Sequence, residues 1–349
     1  MPGTIRSIEE LSDYLAEKNI NPAETQLDWL WQNPSRFPMR LPVFYANLIN
    51  WYDPNDPLRK MVIPDPAEDA VQEYELTDPI GDHDCEVVPG LIHRYQNRCL
   101  LLLTTYCLVH CRFCFRQEVV GKVRPVQMQK ILQYLREHTE IEELIFSGGD
   151  PGTFPIGFLE GLGNTFRNLP HIQKWRFHTR IPAVDPTALS DEWIETFVKL
   201  PGPQKIIAIH INHPREVTAE FKTLCQKLIQ NNILLLSQTV LLKGINDNTE
   251  TLKDLYEKLN LVGIKPYYLH HLDQVVTSDH FRISIEKGTQ IYNALCKQLT
   301  TVVPPKYMLD LPGGFGKVTV KSLKQIDKKT YEARTFSGQV RVYVDRARE

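Results

Sequence analysis

The stretch TTYCLVHCRFCFR (104–116) sets Cys107, Cys111 and Cys114 in a C-x3-C-x2-C pattern, three of the chain's seven cysteines within eight positions. It directly follows the strand-like run RCLLLLTT (98–105), so the thiols fall just past a strand end. Three readings compete. A structural zinc site takes four ligands, usually as two close pairs; the second pair is missing, although His110 or a distant cysteine would complete a set. An inert buried set is the bland alternative. An iron–sulfur cluster on three thiolates leaves one iron open to an exogenous ligand, which is what a catalytic centre requires.

Outward from the cysteines, strand-like and helix-like segments alternate. The strand-like runs are 98–105, EELIFSG (142–148), KWRFHT (174–179), IIAIHIN (206–212), ILLLSQTVLL (233–242) and KPYYLHHL (265–272). Helical candidates lie between them, such as VQMQKILQYLREH and TAEFKTLCQKLIQNN, and SIEKGTQIYNALCKQL follows the sixth run. Six successive β-then-α units predict an α/β fold with a parallel sheet, curled into an open partial (β/α)6-type barrel, with a doubly wound sheet as the rival. Chemistry in such folds gathers at the C-terminal strand ends. Here those ends carry the cysteines, SGGD, HTR, HINH, Gln238 and HHLD. Residues 1–95, rich in Pro and Trp, read as a helical N-terminal extension; 96–300 read as the barrel and 301–349 as a C-terminal segment.

The 349-residue chain carries 40 basic and 42 acidic residues, a net charge of -2, which favours neither a nucleic-acid groove nor an anionic membrane as partner. The polar N-terminus has no signal-peptide core, and the runs CLLLLTTYCLV and ILLLSQTVLL are too short to span a bilayer. A cytoplasmic protein is expected, and in a reducing cytosol a tight cysteine cluster points to metal or redox chemistry rather than a disulfide.

C-x3-C-x2-C after the first strand of a βα barrel resembles the radical S-adenosylmethionine (SAM) superfamily. The resemblance implies a [4Fe-4S] cluster on Cys107, Cys111 and Cys114, whose open iron chelates SAM and whose electron cleaves it to a 5′-deoxyadenosyl radical. Gly148, Gly149 and Asp150 of FSGGDP resemble the family's glycine-rich strand end, where backbone approaches the methionine moiety and a carboxylate takes its ammonium. An external electron donor such as flavodoxin or ferredoxin is implied.

The chain further resembles the lysine 2,3-aminomutase family over most of its length, through DPNDPLRKMVIPDP, VPGLIHRYQNRCLLLLTTYC, RFHTRIPAV, HINHPREVT, QTVLLKGINDN, DHFRISIEKG and, most specifically, YMLDLPGGFGKVTV (307–320). That family also uses pyridoxal phosphate (PLP), which spreads the unpaired electron while an amino group migrates from Cα to Cβ. By its place in PGGFGK, Lys317 matches the PLP lysine. Arg116 matches the group that forks around the substrate carboxylate. Asp273 and Asp310 match the two acids that hold the distal ammonium, which favours L-lysine over glutamate. The resemblance also suggests Arg180 for the PLP phosphate and His210 and Gln238 for SAM. His213, His270 and His271 are equally readable as satisfied structural histidines.

The match departs in places. No cysteine follows Cys296, so the C-terminal zinc site of the longer clostridial-type enzymes is not expected. Phe113, Phe115 and PYYLHHLDQV resemble the branch that makes β-lysine for translation elongation factor P (EF-P), whereas LDLPGGFGK resembles the free-lysine catabolic branch. The expected activity is isomerisation of L-lysine to β-lysine. Glutamate amino migration, another radical SAM reaction such as methyl transfer, and a non-catalytic iron–sulfur protein are the alternatives; homo-oligomerisation is left open.

Overall fold

A computed structural model describes residues 3–33, 35–299 and 304–347. Two short strands, β1 (Thr4–Ile5) and β2 (Leu41–Pro42), pair near the N-terminus. The main sheet holds β3 (Glu86–Val88), β4 (Leu91–Tyr95), β5 (Arg98–Thr104), β6 (Glu143–Gly148), β7 (Lys174–Thr179), β8 (Gln204–His210), β9 (Leu234–Leu241), β10 (Lys265–His271), β11 (Lys306–Leu311) and β12 (Gly316–Thr319). They run in chain order across the sheet. β5 to β11 are parallel, and the antiparallel β3, β4 and β12 form its margins. A separate antiparallel sheet follows, of β13 (Lys324–Gln325), β14 (Thr330–Arg334) and β15 (Val340–Val344).

The six expected strands are all present, and a seventh parallel strand, β11, joins them. The sheet therefore continues across both expected boundaries, at 95 and 300. Alternation of period two sorts its side chains. Leu144, Phe146, Trp175, Phe177, Ile207, Ile209, Leu309 and Leu311 belong to one buried core with apolar residues of the helices, such as Leu159, Phe197, Phe221 and Leu255. The intervening positions carry polar groups instead: Ser147, Arg176, His178, His210, Gln238, His270 and Asp310. Polar N-caps (Ser190, Thr218, Asn248, Ser284) start the helices between strands, and Gly263, at φ +91°, ends the Thr249–Val262 helix.

Two contacts measure the curvature. Arg176 on β7 reaches the Tyr267 hydroxyl on β10 at 3.2 Å, across three inter-strand spacings that would be roughly 14 Å in a flat sheet. Curling of the sheet toward this face brings the two side chains within that reach. The two margins also meet, because the Lys317 backbone N–H on β12 donates to the Tyr95 hydroxyl on β4 at 2.9 Å. Close by, a Cβ on Gly81 would sit 2.1 Å from the Gly314 nitrogen, so two glycine backbones pack directly together at this seam. The barrel is open in its hydrogen bonding and shut by loops and side chains.

The N-terminal extension has a core of its own, including Ile5, Leu11, Tyr45, Trp51, Leu58 and Met61, which reaches Val109 and Phe113 of the cysteine loop. It is built of short helices, the longest being Ile8–Glu17, capped by Ser7. β3 and β4 leave it to enter the main sheet. No helix among the described residues is long and apolar enough to cross a membrane.

Candidate active site

The cysteine loop is moulded by the extension. The His110 and Arg112 backbone N–H groups donate to the carbonyls of Arg40 and Met61, each at 2.9 Å. The Arg112 guanidinium is buried and holds both carboxylate oxygens of Glu68, with Nε to Oε1 at 2.8 Å; Nη1 and Nη2 reach the Phe37 carbonyl and Ser35 Oγ at 2.9 and 3.0 Å. His110 stacks on Phe37 and its Nδ1 lies 2.7 Å from the Pro38 carbonyl; burial pushes its pKa down to about 4.

Burial also pushes up the thiols of Cys107 and Cys114, the latter to about 12, and the neighbouring cysteines add to it. Thiols so placed ionise only against strong positive charge, which bound iron supplies. One cation is already present. Arg180 Nη1 lies 2.7 Å from Cys111 Sγ, and its Nη2 binds Glu216 Oε1 at 2.9 Å and the Tyr45 hydroxyl at 3.3 Å. Among the described residues no three His, Cys, Asp or Glu side chains converge as the shell of a single ion. A cluster taking one thiolate per iron needs no such convergence.

The SGGD turn closes against the start of this loop. Gly149 N–H and Asp150 N–H donate to the carbonyls of Thr104 and Tyr106 at 2.7 and 2.8 Å. A Cβ at Gly148, where φ is +107°, would meet the Thr104 oxygen at 2.5 Å, and one at Gly149 would meet the Tyr106 oxygen at 2.2 Å. These glycines thus permit strand-end packing, a reason different from the expected approach of a ligand. Asp150 is buried and receives the Gly152 and Arg180 backbone N–H groups at 2.9 and 2.8 Å, so its carboxylate organises the turn.

A second polar group lies along the same face, toward the seam. Asp310 on β11 stands opposite Lys317 on β12, and Lys317 Nζ contacts its two oxygens at 2.7 and 2.6 Å. His270 Nδ1 is 3.7 Å from the same carboxylate. Burial opposes ionisation of Asp310, but Lys317 and His270 outweigh it and hold the carboxyl well below the usual range. Burial likewise opposes the charge on Lys317, and Asp310 outweighs it, raising the ammonium above its ordinary value. Asp273, past the end of β10, is pushed up to about 7 by burial and by the Asp310 charge, against Lys317, Arg282 and Arg116. Arg116 Nε binds Asp82 at 2.8 Å and its Nη1 reaches Ser147 Oγ at 3.1 Å; Arg94 meets the other Asp82 oxygen at 3.2 Å.

The interior histidines link the two groups. His178 lies 3.4 Å from the Gln238 amide, and burial keeps it neutral, reinforced by Arg176, Arg116 and Lys317. His210 packs edge-on against Phe113 of the cysteine loop, and burial, with Arg180 next, lowers it to about 3. The structure therefore brings Arg116, Asp273, Asp310 and Lys317 into one electrostatic neighbourhood, with His210 on the cysteine side.

Arg180 lies among the groups around the cysteine loop. Its partners are Cys111, Tyr45, Met61 and Glu216, all on the cysteine side, whereas the largest charges acting on Lys317 are Asp310, Tyr95 and Asp273. His213 accepts the Arg215 N–H in a turn, and His271 contacts the Tyr307 hydroxyl on the helix-covered face; both are structural. Asp82, Arg94, Tyr95, Ser147 and His178 were not anticipated. Of these, Ser147 and His178 carried a signal, as members of SGGD and HTR at strand ends.

Lys317 suits an aldehyde cofactor. It is a primary amine, 28 % exposed, on a strand that begins at Gly316 and follows Gly313 and Gly314, all three glycines at positive φ. Three half-buried thiols on one loop, one iron apiece, likewise suit a site-differentiated cluster.

A curled parallel sheet with this cysteine loop at its first strand end defines the class: the model of the Radical SAM superfamily matches residues 101–259. That class implies a [4Fe-4S] cluster and SAM. An L-lysine 2,3-aminomutase of Haemophilus influenzae is 39 % identical over 79 % of this chain and 82 % of its own. One of Clostridium subterminale is 31 % identical over 97 % of this chain and 81 % of its own. The chain belongs to the lysine 2,3-aminomutase family. A solved structure of Streptococcus suis SuiB bound to S-adenosylmethionine aligns at TM-score 0.46 and 11 % identity, over 62 % of this chain and 51 % of that one.

Proposed function

We propose that the chain isomerises L-lysine to β-lysine by radical 1,2-amino migration, with Cys107, Cys111 and Cys114 holding a [4Fe-4S] cluster and Lys317 holding PLP. The supporting observation is the pairing of charges on the concave face. Arg116 follows Cys114 by two residues, and the two carboxylates lie across the face beside Lys317. Arg116 would fork around the substrate's carboxylate, and Asp310 and Asp273 would take its distal ammonium. A glutamate substrate would set a third carboxylate against those two, a repulsion that disfavours the glutamate reading.

When bound, the cluster and SAM supply a carbon-centred radical, and PLP spreads the unpaired electron as nitrogen migrates. The chain's own residues position and exclude. Phe113 and His210 border the thiols, the neutral His178 and Gln238 offer polar contacts without added charge, and Gly148 and Gly149 keep the SGGD turn tight against the cysteine loop. Gln238, His210 and the SGGD turn remain the proposed SAM-facing groups, and Arg180 is reassigned to the cluster thiolate of Cys111. A one-electron donor of the flavodoxin or ferredoxin class completes the system, and supply of β-lysine for EF-P modification is the finer proposal, resting on Phe113 and Phe115. Anaerobic incubation of reconstituted protein with L-lysine, or in parallel with L-glutamate, together with SAM, PLP and reductant, followed by chiral analysis of the amino acids, tests both. β-Lysine is the expected product and its stereochemistry separates the branches; β-glutamate from glutamate, or no β-amino acid, overturns the reading.

A further inference from the structure

Asp310 has two claimants. In the structure its carboxylate is buried and both oxygens are taken by one ammonium, that of Lys317. The pair is set by strand register, Asp310 opposite Lys317, not by a loose loop. The substrate proposed above ends in a primary ammonium on an alkyl stem, which is chemically the same ligand as Lys317. A buried carboxylate already gripped at both oxygens has little left for a second such cation.

We propose that Lys317 and the substrate's distal ammonium are alternate occupants of Asp310, so that cofactor loading precedes and creates the lysine site. This rests on the reading of Lys317 as the PLP lysine. For loading, the Lys317 ammonium gives one proton to solvent. The amine then adds to the aldehyde carbon, and its two remaining hydrogens leave with the carbonyl oxygen as water. Asp310 loses its internal cation and becomes free for the substrate's. The groups facing Lys317 are Asp310 on β11, Asp273 past β10, His270 on β10, His178 on β7 and the Tyr95 phenol on β4. Of these only Asp310 grips the ammonium directly, so its occupancy by substrate removes the main group favouring protonation of Lys317. A released Lys317 then stays a neutral nucleophile, ready to recapture the cofactor.

The test uses the full chain freed of PLP and equilibrium dialysis with labelled L-lysine. Lys317→Met should bind lysine at least about tenfold more tightly than the PLP-free wild type, and adding Asp310→Asn should abolish the gain. Equal affinity, or no binding to Lys317→Met, overturns the shared carboxylate. An independent reading comes from Asp310→Asn alone: the absorbance of covalently held PLP should form at lower pH than in wild type, because Lys317 is no longer held as an ammonium. An unchanged pH midpoint also overturns the inference. Covalent PLP absorbance persisting in Lys317→Met would instead refute the cofactor assignment itself.

Discussion

Glu68→Gln isolates the claim that the N-terminal extension shapes the cysteine loop. Gln keeps the size of Glu and removes its charge, leaving the Arg112 guanidinium, 1 % exposed, without a counter-ion. Breaking a buried pair by removing one partner costs about 3–5 kcal/mol, because the remaining charge stays desolvated. Replacing both, as Arg112→Met with Glu68→Leu, removes the stranded charge and leaves the Phe37 carbonyl and Ser35 hydroxyl without their donor, about 1–3 kcal/mol each at most. Those losses, with the Asp65 N–H that Glu68 also accepts, are of the same size as the broken pair, so the discriminating variant is the single one, which should lose about 3–5 kcal/mol in urea unfolding. Tryptophan fluorescence of the reduced, metal-free chain reads the transition, since Trp51 lies in the extension's core and Trp29 and Trp31 pack against it. Iron per chain after anaerobic reconstitution reads the loop, and Glu68→Gln should take up less. A single variant within about 1 kcal/mol of wild type would refute the reasoning.

Gly149→Ala would drive a methyl to 2.2 Å from the Tyr106 carbonyl, so the turn and the cysteine loop must part; iron uptake should fall sharply, and full uptake would contradict the packing. Lys317→Ala should lose the absorbance of covalently held PLP while keeping the cluster's visible spectrum. Asp273 has a pKa raised to about 7, so it binds its proton more readily folded than unfolded, and its contribution lowers stability as pH rises from about 4 through 7. Because only the ionised form attracts an ammonium, lysine affinity should weaken below pH ~7 in titration calorimetry, and Asp273→Asn should flatten that profile.

The cysteine spacing and the six strands were legible because both are local patterns. Trp175 and Phe177 alternate with Arg176 and His178 within six residues, and period-two alternation of that kind needs no tertiary knowledge. The seventh strand, KYMLDL, was absorbed into a tail reading because an inward Asp and a glycine turn mask its strand character. Asp82, Arg94 and Tyr95 were invisible for a different reason. Tyr95 reaches Lys317 only because the two sheet margins meet, a contact across 222 residues of chain, and Asp82 reaches Arg116 across 34 residues of intervening strands and loop. The partners of Arg180 were hidden in the same way: HTR marks a strand end, while Tyr45 and Glu216 come from other segments of the chain.

The central claim is that one concave face delivers a radical to a lysine anchored beside Lys317. L-Lysine deuterated at its β carbon, turned over anaerobically with SAM, PLP and reductant, tests it most directly by mass spectrometry of the products. Deuterium recovered in both 5′-deoxyadenosine and β-lysine is the predicted result. SAM cleaved with no deuterium reaching the deoxyadenosine would contradict it.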